Sequence, residues 1–300
     1  DTVSRAEVAR LTKLTRATVS EIVAHLISEG LVEEVGYGSS IGGKSPILLS
    51  LAANSRYLIG LNLAQDKFIG AVVNLRGEIK DLVEFPIHNL DGEQALQLVY
   101  QILDQLITKG YHPLIGIGIG TPGLVNTREG VVVNAVNLDW QNLPLAGLLE
   151  AHYNLPVSIL NDSQATAIGE YVYGNDHQTD RNLIVVNVKH GIGAGILING
   201  RLFQGDGGGA GEIGHVVVRE DGKLCRCGKY GCLETIASAH AVVLRYDEMI
   251  QANPAIYSSL KDTQIDLAAI ETAFQQGDPL AKQVIYEAGA ALGASIANLI

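Results

Sequence analysis

The segment GAGEIGHVVVREDGKLCRCGKYGCLE, residues 209–234, contains all three cysteines of the 300-residue chain and one histidine at a spacing typical of a metal site. His215, Cys225, Cys227 and Cys232 supply one imidazole and three thiolates. These are the usual ligands of a closed, four-coordinate structural zinc. Three glycines allow the short loop to wrap around a tetrahedral ion; they are Gly222, Gly228 and Gly231. The segment therefore predicts a structural zinc bound by the histidine and the three cysteines.

Two other interpretations of the cysteines are weaker. If they were three unrelated buried thiols, their clustering would be accidental. A disulfide is disfavoured because Cys225 and Cys227 are too close in sequence to bridge comfortably, and because an intracellular chain keeps its thiols reduced.

The composition is that of a well-packed α/β protein, with 47% apolar residues, 18% charged residues and 34 glycines. Its length indicates two or three domains. The net charge of −11 argues against a nucleic-acid surface over the whole protein, but residues 1–20 carry four basic against two acidic side chains. Because no apolar run approaches a membrane span and no secretory leader is visible, we expect a cytoplasmic protein with no membrane partner. The sequence also leads us to expect that both ends are clipped.

The first fifty residues have the pattern of two short helices joined by a tight turn. Ser4 and Glu7 form a capping-box pattern at the start of the first helix, and Thr15 can cap the second. An apolar stripe on the second helix ends at Gly30; it comprises Val19, Ile22, Val23, Leu26 and Ile27. Residues 31–35 and 46–51 then predict a two-stranded wing. We interpret residues 1–52 as a winged helix-turn-helix domain.

Polar residues off the apolar stripe are the candidates for DNA contact. Arg16, Thr18 and Glu21 lie near the start of the second helix, where base edges would be met, and Thr15 precedes them. Lys13 and Lys44 are candidates for phosphate contact. The alternative is a helical hairpin that pairs with another protein.

From residue 56 the sequence pattern changes to one of alternating strands and helices. The pattern predicts strands over 57–63, 68–74, 79–85, 114–119 and 156–160, with helices over 91–109 and 162–173. A second set of strands over 182–188 and 195–198 is followed by helices over 234–251 and 278–300. This repeated order predicts two similar α/β lobes around a cleft, over residues 53–165 and 166–300.

Two features bear on a ligand site. Gly118–Gly123 formally matches the dinucleotide fingerprint, but Pro122 interrupts it and no helical pattern follows, so a Rossmann site is disfavoured. Asn161 and Asp162 lie where a strand ends and a helix begins, which is where α/β sheets bind ligands. The alternative makes Asp162 only a helix N-cap. A neutral sugar fits these residues, together with Glu212, His215 and Glu234, better than a sugar phosphate, which needs nearby cations.

At this point the sequence resembles the ROK family (repressors, open reading frames and kinases). Five segments carry the resemblance: 42–46, 118–125, 161–163, 191–195 and 209–234. The resemblance implies an actin-like, ribonuclease-H-like body of two lobes with a sugar in the cleft, and zinc at the four ligands named above. The implied sugar-binding residues are Asn137, Asn161, Asp162, Glu212, His215 and Glu234. In family members that are kinases, the aspartate matching Asp162 takes the proton from the sugar hydroxyl.

The sequence departs from the kinase pattern at both phosphate loops. The first loop of such kinases is of the Asp-x-Gly-x-Thr type, but residues 62–67 read Asn-Leu-Ala-Gln-Asp-Lys. The second is normally Gly-Thr-Gly, but here it is Lys189-His190-Gly191. Because phosphoryl transfer depends on positioning and charge stabilisation, we expect both losses to remove most kinase activity.

Two hypotheses follow. The first is a sugar-responsive repressor, not an enzyme, that acts as a homodimer or homotetramer on operator DNA. The second is a ROK-type sugar kinase that carries a DNA-binding appendage, with Asp162 as its base. A protein-interaction module is a more distant third.

Overall fold

A computed structural model describes residues 2–39, 45–87, 90–174, 182–252, 258–260 and 265–299. The chain divides into two compact units. The first comprises Asp1–Gly123 and Thr127–Leu160, and the second comprises Leu124–Asn126 and Asn161–Ile300. The continuous part of the second unit begins at Asn161, a few residues before the predicted lobe boundary. The predicted domain boundaries, including a separate domain over 1–52, stay predictions.

The N-terminal elements of the first unit are two helices and a small sheet. Their bounds are β1 Val3–Ser4, α1 Arg5–Thr12, α2 Arg16–Ser28, β2 Val32–Tyr37 and β3 Ile47–Leu51. The strands pair in the order β1-β3-β2, and both pairs are antiparallel. As predicted, the Ser4 side chain accepts from the Glu7 N–H and the Thr15 side chain accepts from the Thr18 N–H. The short strand β1 was not predicted.

A four-residue core holds these elements together: Ala9, Val19, Val23 and Leu49. Ile22, which the spacing placed in the apolar stripe of α2, is instead 44% exposed, and Leu11 of α1 is 66% exposed. The prediction that Ile22 belongs to the apolar stripe is therefore corrected. Two helices and three short strands cover only a narrow stripe, and residues at its edge remain in solvent.

The rest of the first unit is built on a five-stranded sheet. The bounds are β4 Tyr57–Leu63, β5 Lys67–Asn74, β6 Ile79–Pro86, α3 Gly92–Ile107, β7 Leu114–Thr121, β9 Val131–Ala135, β10 Trp140–Leu143, α4 Leu145–Tyr153 and β11 Val157–Asn161, with β8 Leu124–Asn126 belonging to the second unit. The strand order is β11-β7-β4-β5-β6, with β4 parallel to β7. Helix α3 packs closely on β5 at Gly70, where an added Cβ would lie 2.5 Å from a methyl group of Ile102.

The second unit combines a three-stranded antiparallel sheet with five helices among its described residues. The bounds are α5 Asp162–Tyr173, β12 Leu183–Val188, β13 Ile192–Ile198, β14 Arg201–Leu202, α6 Glu234–Ala237, α7 Ala239–Ala252, α8 Leu267–Gln275 and α9 Pro279–Ala297. The strand order is β12-β13-β14. Helix α5 lies on this sheet at Gly195, where an added Cβ would lie 2.3 Å from the Cβ of Ala167. Tyr246, Leu280 and Val284 belong to a core cluster between the helices.

Three predictions for this unit are corrected. Strand β13 begins at Ile192 rather than Gly195, and the helix predicted over 234–251 is two helices separated by Ser238. Ser238 has an extended backbone, and its hydroxyl accepts from the Ala241 N–H at 3.1 Å, so it caps α7 instead of continuing α6. The last predicted helix begins at Pro279, capped by Asp278. Helix α8 was not predicted.

Across the described ranges, no helix has the combination of length and apolar character that crossing a bilayer requires.

Candidate functional site

The four predicted metal ligands come together in the second unit. The ligand atoms of His215, Cys225, Cys227 and Cys232 all lie within 4.8 Å of one another. The Cys227 and Cys232 sulfurs are 3.6 Å apart, and the Cys225 sulfur is 3.5 Å from His215 Nδ1. Ligands at about 2.0–2.3 Å from a tetrahedral zinc are separated by roughly 3.3–3.8 Å. The donor set and its spacing therefore fit a closed four-coordinate metal site.

Backbone contacts close this loop. Isolated bridges pair Val217 with Cys232 and Leu224 with Tyr230. The Cys225 N–H donates to the Lys229 carbonyl at 2.8 Å. Gly231 has a φ of +70°, and a Cβ there would lie 1.5 Å from the Arg219 carbonyl oxygen. Glycine is thus required at the residue before the last cysteine, both for the left-handed backbone and for the close chain approach.

The three cysteines are free thiols, and Cys225 and Cys232 are buried. Burial and the hydrogen bonds of the neighbouring thiols raise the pKa of Cys232 to about 12. A metal ion that binds this sulfur must displace its proton, so metal affinity depends on pH. The close spacing of the three sulfurs and the imidazole suits a metal that binds thiolates, and the cysteines form no disulfide bridge.

Several carboxylates lie near the loop over residues 215–232 that carries the four candidate ligands, called here the metal loop. The first of them in the sequence is Asp162, the first residue of α5. The neighbouring Asn161 is the N-cap, and its side-chain oxygen accepts from the Ser163 N–H at 2.9 Å and the Gln164 N–H at 3.4 Å. The Asp162 carboxylate also accepts from the Ser163 N–H, at 2.8 Å. The role of helix cap that the sequence left open for Asp162 therefore belongs to Asn161.

Burial disfavours the charged form of the carboxylates in this region. It raises the pKa of Asp162, against the opposing effects of the Ser163 N–H and the Lys189 ammonium. It also raises the pKa of Glu212, and the charges of Asp162 and Glu234 add to the effect. Half-buried carboxylates held this way favour a ligand that donates hydrogen bonds to them.

His215 connects the metal cluster to these carboxylates. Its Nδ1 faces Cys225, while its Nε2 lies 3.8 Å from a Glu212 carboxylate oxygen. The two ring nitrogens therefore point to different neighbours, as a metal-ligating histidine with a carboxylate behind it does.

Glu234 has a partner that the sequence did not reveal. One of its carboxylate oxygens lies 3.0 Å from Nε and 2.8 Å from Nη2 of Arg226. The other accepts from the Ile192 N–H at 3.2 Å. In the sequence, Arg226 lies between Cys225 and Cys227. This position beside two predicted metal ligands was the only sequence feature that indicated a functional role for it.

Asn137, the remaining predicted sugar residue, belongs to the first unit. It lies in a short turn over Val136–Leu138, and its amide donates to the Gln65 side-chain oxygen at 3.3 Å. Gln65 is one of the residues at the first phosphate-loop position. Lys67 of the same segment forms an ion pair with Glu84 at 2.9 Å.

At the second phosphate-loop position, in the second unit, His190 stacks on His240. The ring centroids are 5.0 Å apart and the planes are 15° from parallel. An imidazole pair thus lies at the position where the kinase pattern has a small residue.

The predicted DNA-contacting residues, except one, lie on the exposed side of the N-terminal helices. Arg16, Thr18 and Glu21 of α2 are exposed, and the Thr15 and Thr18 hydroxyls are 2.9 Å apart. Lys13 is exposed and adopts a left-handed conformation, with a φ of 60°, at the end of α1. Lys44 lies outside the described residues.

Two α/β units, one of which carries a loop that brings together a histidine and three cysteines able to hold a metal ion, fit the ROK pattern, and comparison with known proteins agrees. The ROK family model matches residues 58–300. A xylose repressor of Caldicellulosiruptor bescii is 34% identical over 99% of this chain and 76% of its own length. The chain belongs to the ROK family, which confirms the resemblance.

Solved structures of both a regulator and a kinase are similar to this chain. A ROK family transcriptional regulator, described as a homologue of the Escherichia coli MLC protein, matches with a TM-score of 0.84 and 31% identity, covering 99% of this chain and 76% of its own. A ROK family glucokinase from Streptomyces griseus, in complex with glucose and AMPPNP, matches with a TM-score of 0.71 and 32% identity. That match covers 81% of this chain and 78% of the glucokinase. The regulator match therefore covers a larger share of this chain than the glucokinase match does.

Proposed function

We propose that this protein is a sugar-responsive transcriptional repressor of carbohydrate genes. The observation that carries the proposal is the extent of its similarity to regulators. Both the xylose repressor and the regulator structure match 99% of the chain, whereas the glucokinase matches 81%. A repressor acts on DNA in the bacterial cytoplasm, and we expect it to act as a homodimer or homotetramer because operators commonly present paired half-sites.

In this proposal the N-terminal elements form a winged helix-turn-helix, with α2 in the major groove and the β2–β3 hairpin as the wing. Arg16, Thr18 and Glu21 meet base edges, and Lys13 and Lys44 contact phosphates. The exposure of the α2 residues and the capped start of the helix support this assignment. The small core that packs α1 and α2 on β3 keeps this surface rigid.

The effector in this proposal is a neutral monosaccharide. Asp162 and Glu212 provide acceptors, and His215, with its Nδ1 on the metal, provides an Nε2–H donor. Asn137, Asn161 and Glu234 complete the set that the family pattern implies. A sugar hydroxyl that donates to Asp162 would compensate for the burial of its carboxylate. Such a ligand changes operator affinity only if it binds one state of the protein more tightly than the other.

We assign a single structural zinc to His215, Cys225, Cys227 and Cys232. When bound, the ion crosslinks the loop that precedes Glu234 and holds the three sulfurs as thiolates. The distances among the four ligand atoms support the assignment.

A sugar kinase is the second candidate, favoured by Asp162 at the position of the family's catalytic base and by the glucokinase match. The side chains at both phosphate loops weigh against it. Lys67 is engaged with Glu84, and His190 is stacked on His240.

Selection from a genomic DNA library, followed by fluorescence anisotropy with D-xylose, D-glucose and N-acetylglucosamine, tests the proposal. We expect a sequence-specific site that is released by one of these sugars or a related monosaccharide. A protein with an intact N-terminus that shows no sequence preference would contradict the proposal.

A further inference from the structure

The residue between the first two cysteines ties the metal loop to the candidate sugar site. Arg226 is flanked directly by Cys225 and Cys227, so binding of an ion by both sulfurs would fix its backbone on either side. Its guanidinium holds one Glu234 carboxylate oxygen through two nitrogens, at 3.0 Å and 2.8 Å. Both nitrogens contact the same carboxylate oxygen, so these charge-assisted contacts anchor that oxygen and leave the other one to accept from the backbone.

Glu234 passes this constraint to a second segment. Its other carboxylate oxygen accepts from the Ile192 N–H at 3.2 Å, at the start of β13. The packing around this contact is tight, because a Cβ on Gly191 would lie 2.6 Å from that oxygen and 3.3 Å from Arg226 Nη2. The buried carboxylate therefore joins the metal loop to the end of the Lys189-His190-Gly191 segment.

We propose that Arg226 is a positioning residue through which the state of the metal loop sets the orientation of Glu234 and of the Gly191–Ile192 backbone. This inference rests on the proposed function where it concerns sugar, but the mechanical coupling does not depend on it. Its consequence is that sugar affinity falls when the metal is removed, although Arg226 itself binds no metal. Loss of Arg226 reproduces that fall with the metal still bound.

Amide hydrogen exchange at Ile192 tests the coupling without sugar or DNA. In full-length protein we expect chelation of the metal to speed this exchange at least about tenfold, the change expected for loss of one charge-assisted hydrogen bond. Arg226→Ala should show the fast exchange while retaining one zinc per chain by atomic spectrometry. Arg226→Lys, which keeps the charge but not the two-nitrogen contact, should be intermediate.

Two further variants sharpen the test. Lys223→Ala is the matched control, because it removes a cation of the same loop whose partner is Glu248 on α7. It should leave the Ile192 exchange unchanged. Gly191→Ala should also speed the exchange with zinc and Arg226 both present, since the added methyl group displaces the Glu234 oxygen.

Sugar binding provides the second readout, with whichever test sugar releases the wild-type protein from its operator. We expect Arg226→Ala to weaken that sugar about tenfold with zinc still bound, and chelation should weaken it further, because His215 is both a predicted metal ligand and a predicted sugar-binding residue. The coupling is overturned if Arg226→Ala leaves the Ile192 exchange within about twofold of wild type, or speeds it only by losing zinc. It is equally overturned if chelation leaves the exchange unchanged. If no sugar acts on the wild-type protein, the repressor proposal fails, while the exchange result still decides the coupling.

Discussion

At the scale of single residues, the half-buried carboxylates are the most informative feature of the candidate site. Asp162 and Glu212 both have a raised pKa, chiefly because burial penalises the charged form. A raised carboxyl pKa in the folded state destabilises that state at neutral pH, and the penalty disappears as the pH falls and the folded protein takes up the proton first. Shifted carboxyl pKa values concentrate at functional sites, which makes both residues candidates for ligand contact.

Replacing Asp162 with asparagine should separate the sugar response from stability. Because the amide oxygen can still accept from the Ser163 N–H, we expect the Asp162→Asn protein to be at least as stable as wild type at pH 7 without sugar. That advantage should shrink as the pH falls towards about 4, near the ordinary aspartate pKa. Sugar affinity should drop about tenfold or more, as for a lost hydrogen bond to a charged group, with operator affinity nearly unchanged. Thermal unfolding and anisotropy measure these effects.

Glu271→Gln is the control for this prediction, since it neutralises an exposed carboxylate of α8. It should leave the sugar response unchanged. A sugar affinity of Asp162→Asn equal to that of wild type would remove Asp162 from the effector site.

At the scale of elements, the sequence predicted best where caps and periodicity agree. Helix α3 begins at a capping box formed by Asp91 and Gln94, close to the predicted start of the helix. The predicted strand over 57–63 coincides with β4. The break at Ser238 was missed, because an apolar pattern runs through it and only the fold reveals that its hydroxyl turns to Ala241. Local patterns thus fix most elements but not the breaks that tertiary contacts impose.

In the candidate site, too, local contacts could be predicted from the sequence and tertiary contacts could not. The spacing of the cysteines predicted which side chains meet, because the loop is short and closes on itself. The Arg226–Glu234 pair could not be predicted in the same way. A charged residue in a loop is usually solvated, and the meeting of its guanidinium with a helix-starting carboxylate depends on how the loop lies against β13.

The metal loop carries its own prediction. Protein purified without a chelator should contain one zinc per chain. Cys225→Ser should lose the zinc and lower the melting temperature by at least about 2–4 °C, the shift that 1 kcal/mol produces in a domain of 150–250 residues. Glu220→Gln alters an exposed side chain of the same loop and should keep both zinc and stability. Zinc far below one equivalent in the wild-type protein would contradict the assignment.

Helix α2 carries the prediction on DNA. Arg16 is exposed at the first turn of this helix, so Arg16→Ala should weaken operator binding, by about 1–3 kcal/mol if the side chain reads a guanine edge. Base preference at the contacted position should relax. Arg201→Ala, which removes an exposed arginine of the second unit, is the matched control. Equal operator affinities of the Arg16 variant and wild type in anisotropy titrations would exclude this contact.

At the scale of the whole molecule, both a regulator and a glucokinase resemble this chain, and its two phosphate-loop positions bear on which activity it has. The carboxylate that would serve as a base is present, but a base alone leaves phosphoryl transfer slow, because that chemistry depends on holding and neutralising phosphate. Each unit carries a departure at its own phosphate-loop position. In the first, Gln65 accepts from Asn137 and Lys67 pairs with Glu84. In the second, His190 stacks on His240.

The last prediction follows from these two departures. Calorimetry should detect no micromolar binding of ATP, and a coupled assay should detect no sugar-dependent release of ADP, with the Streptomyces griseus glucokinase as the positive control. Changing Lys189-His190 to Gly-Thr removes the side chains at the second loop only, so this double variant should still not turn over, because residues 62–67 of the first unit supply neither the glycine nor the threonine of the kinase pattern. Micromolar ATP binding by the wild-type protein, or turnover at a rate typical of kinases, would instead make it an enzyme with a DNA-binding appendage.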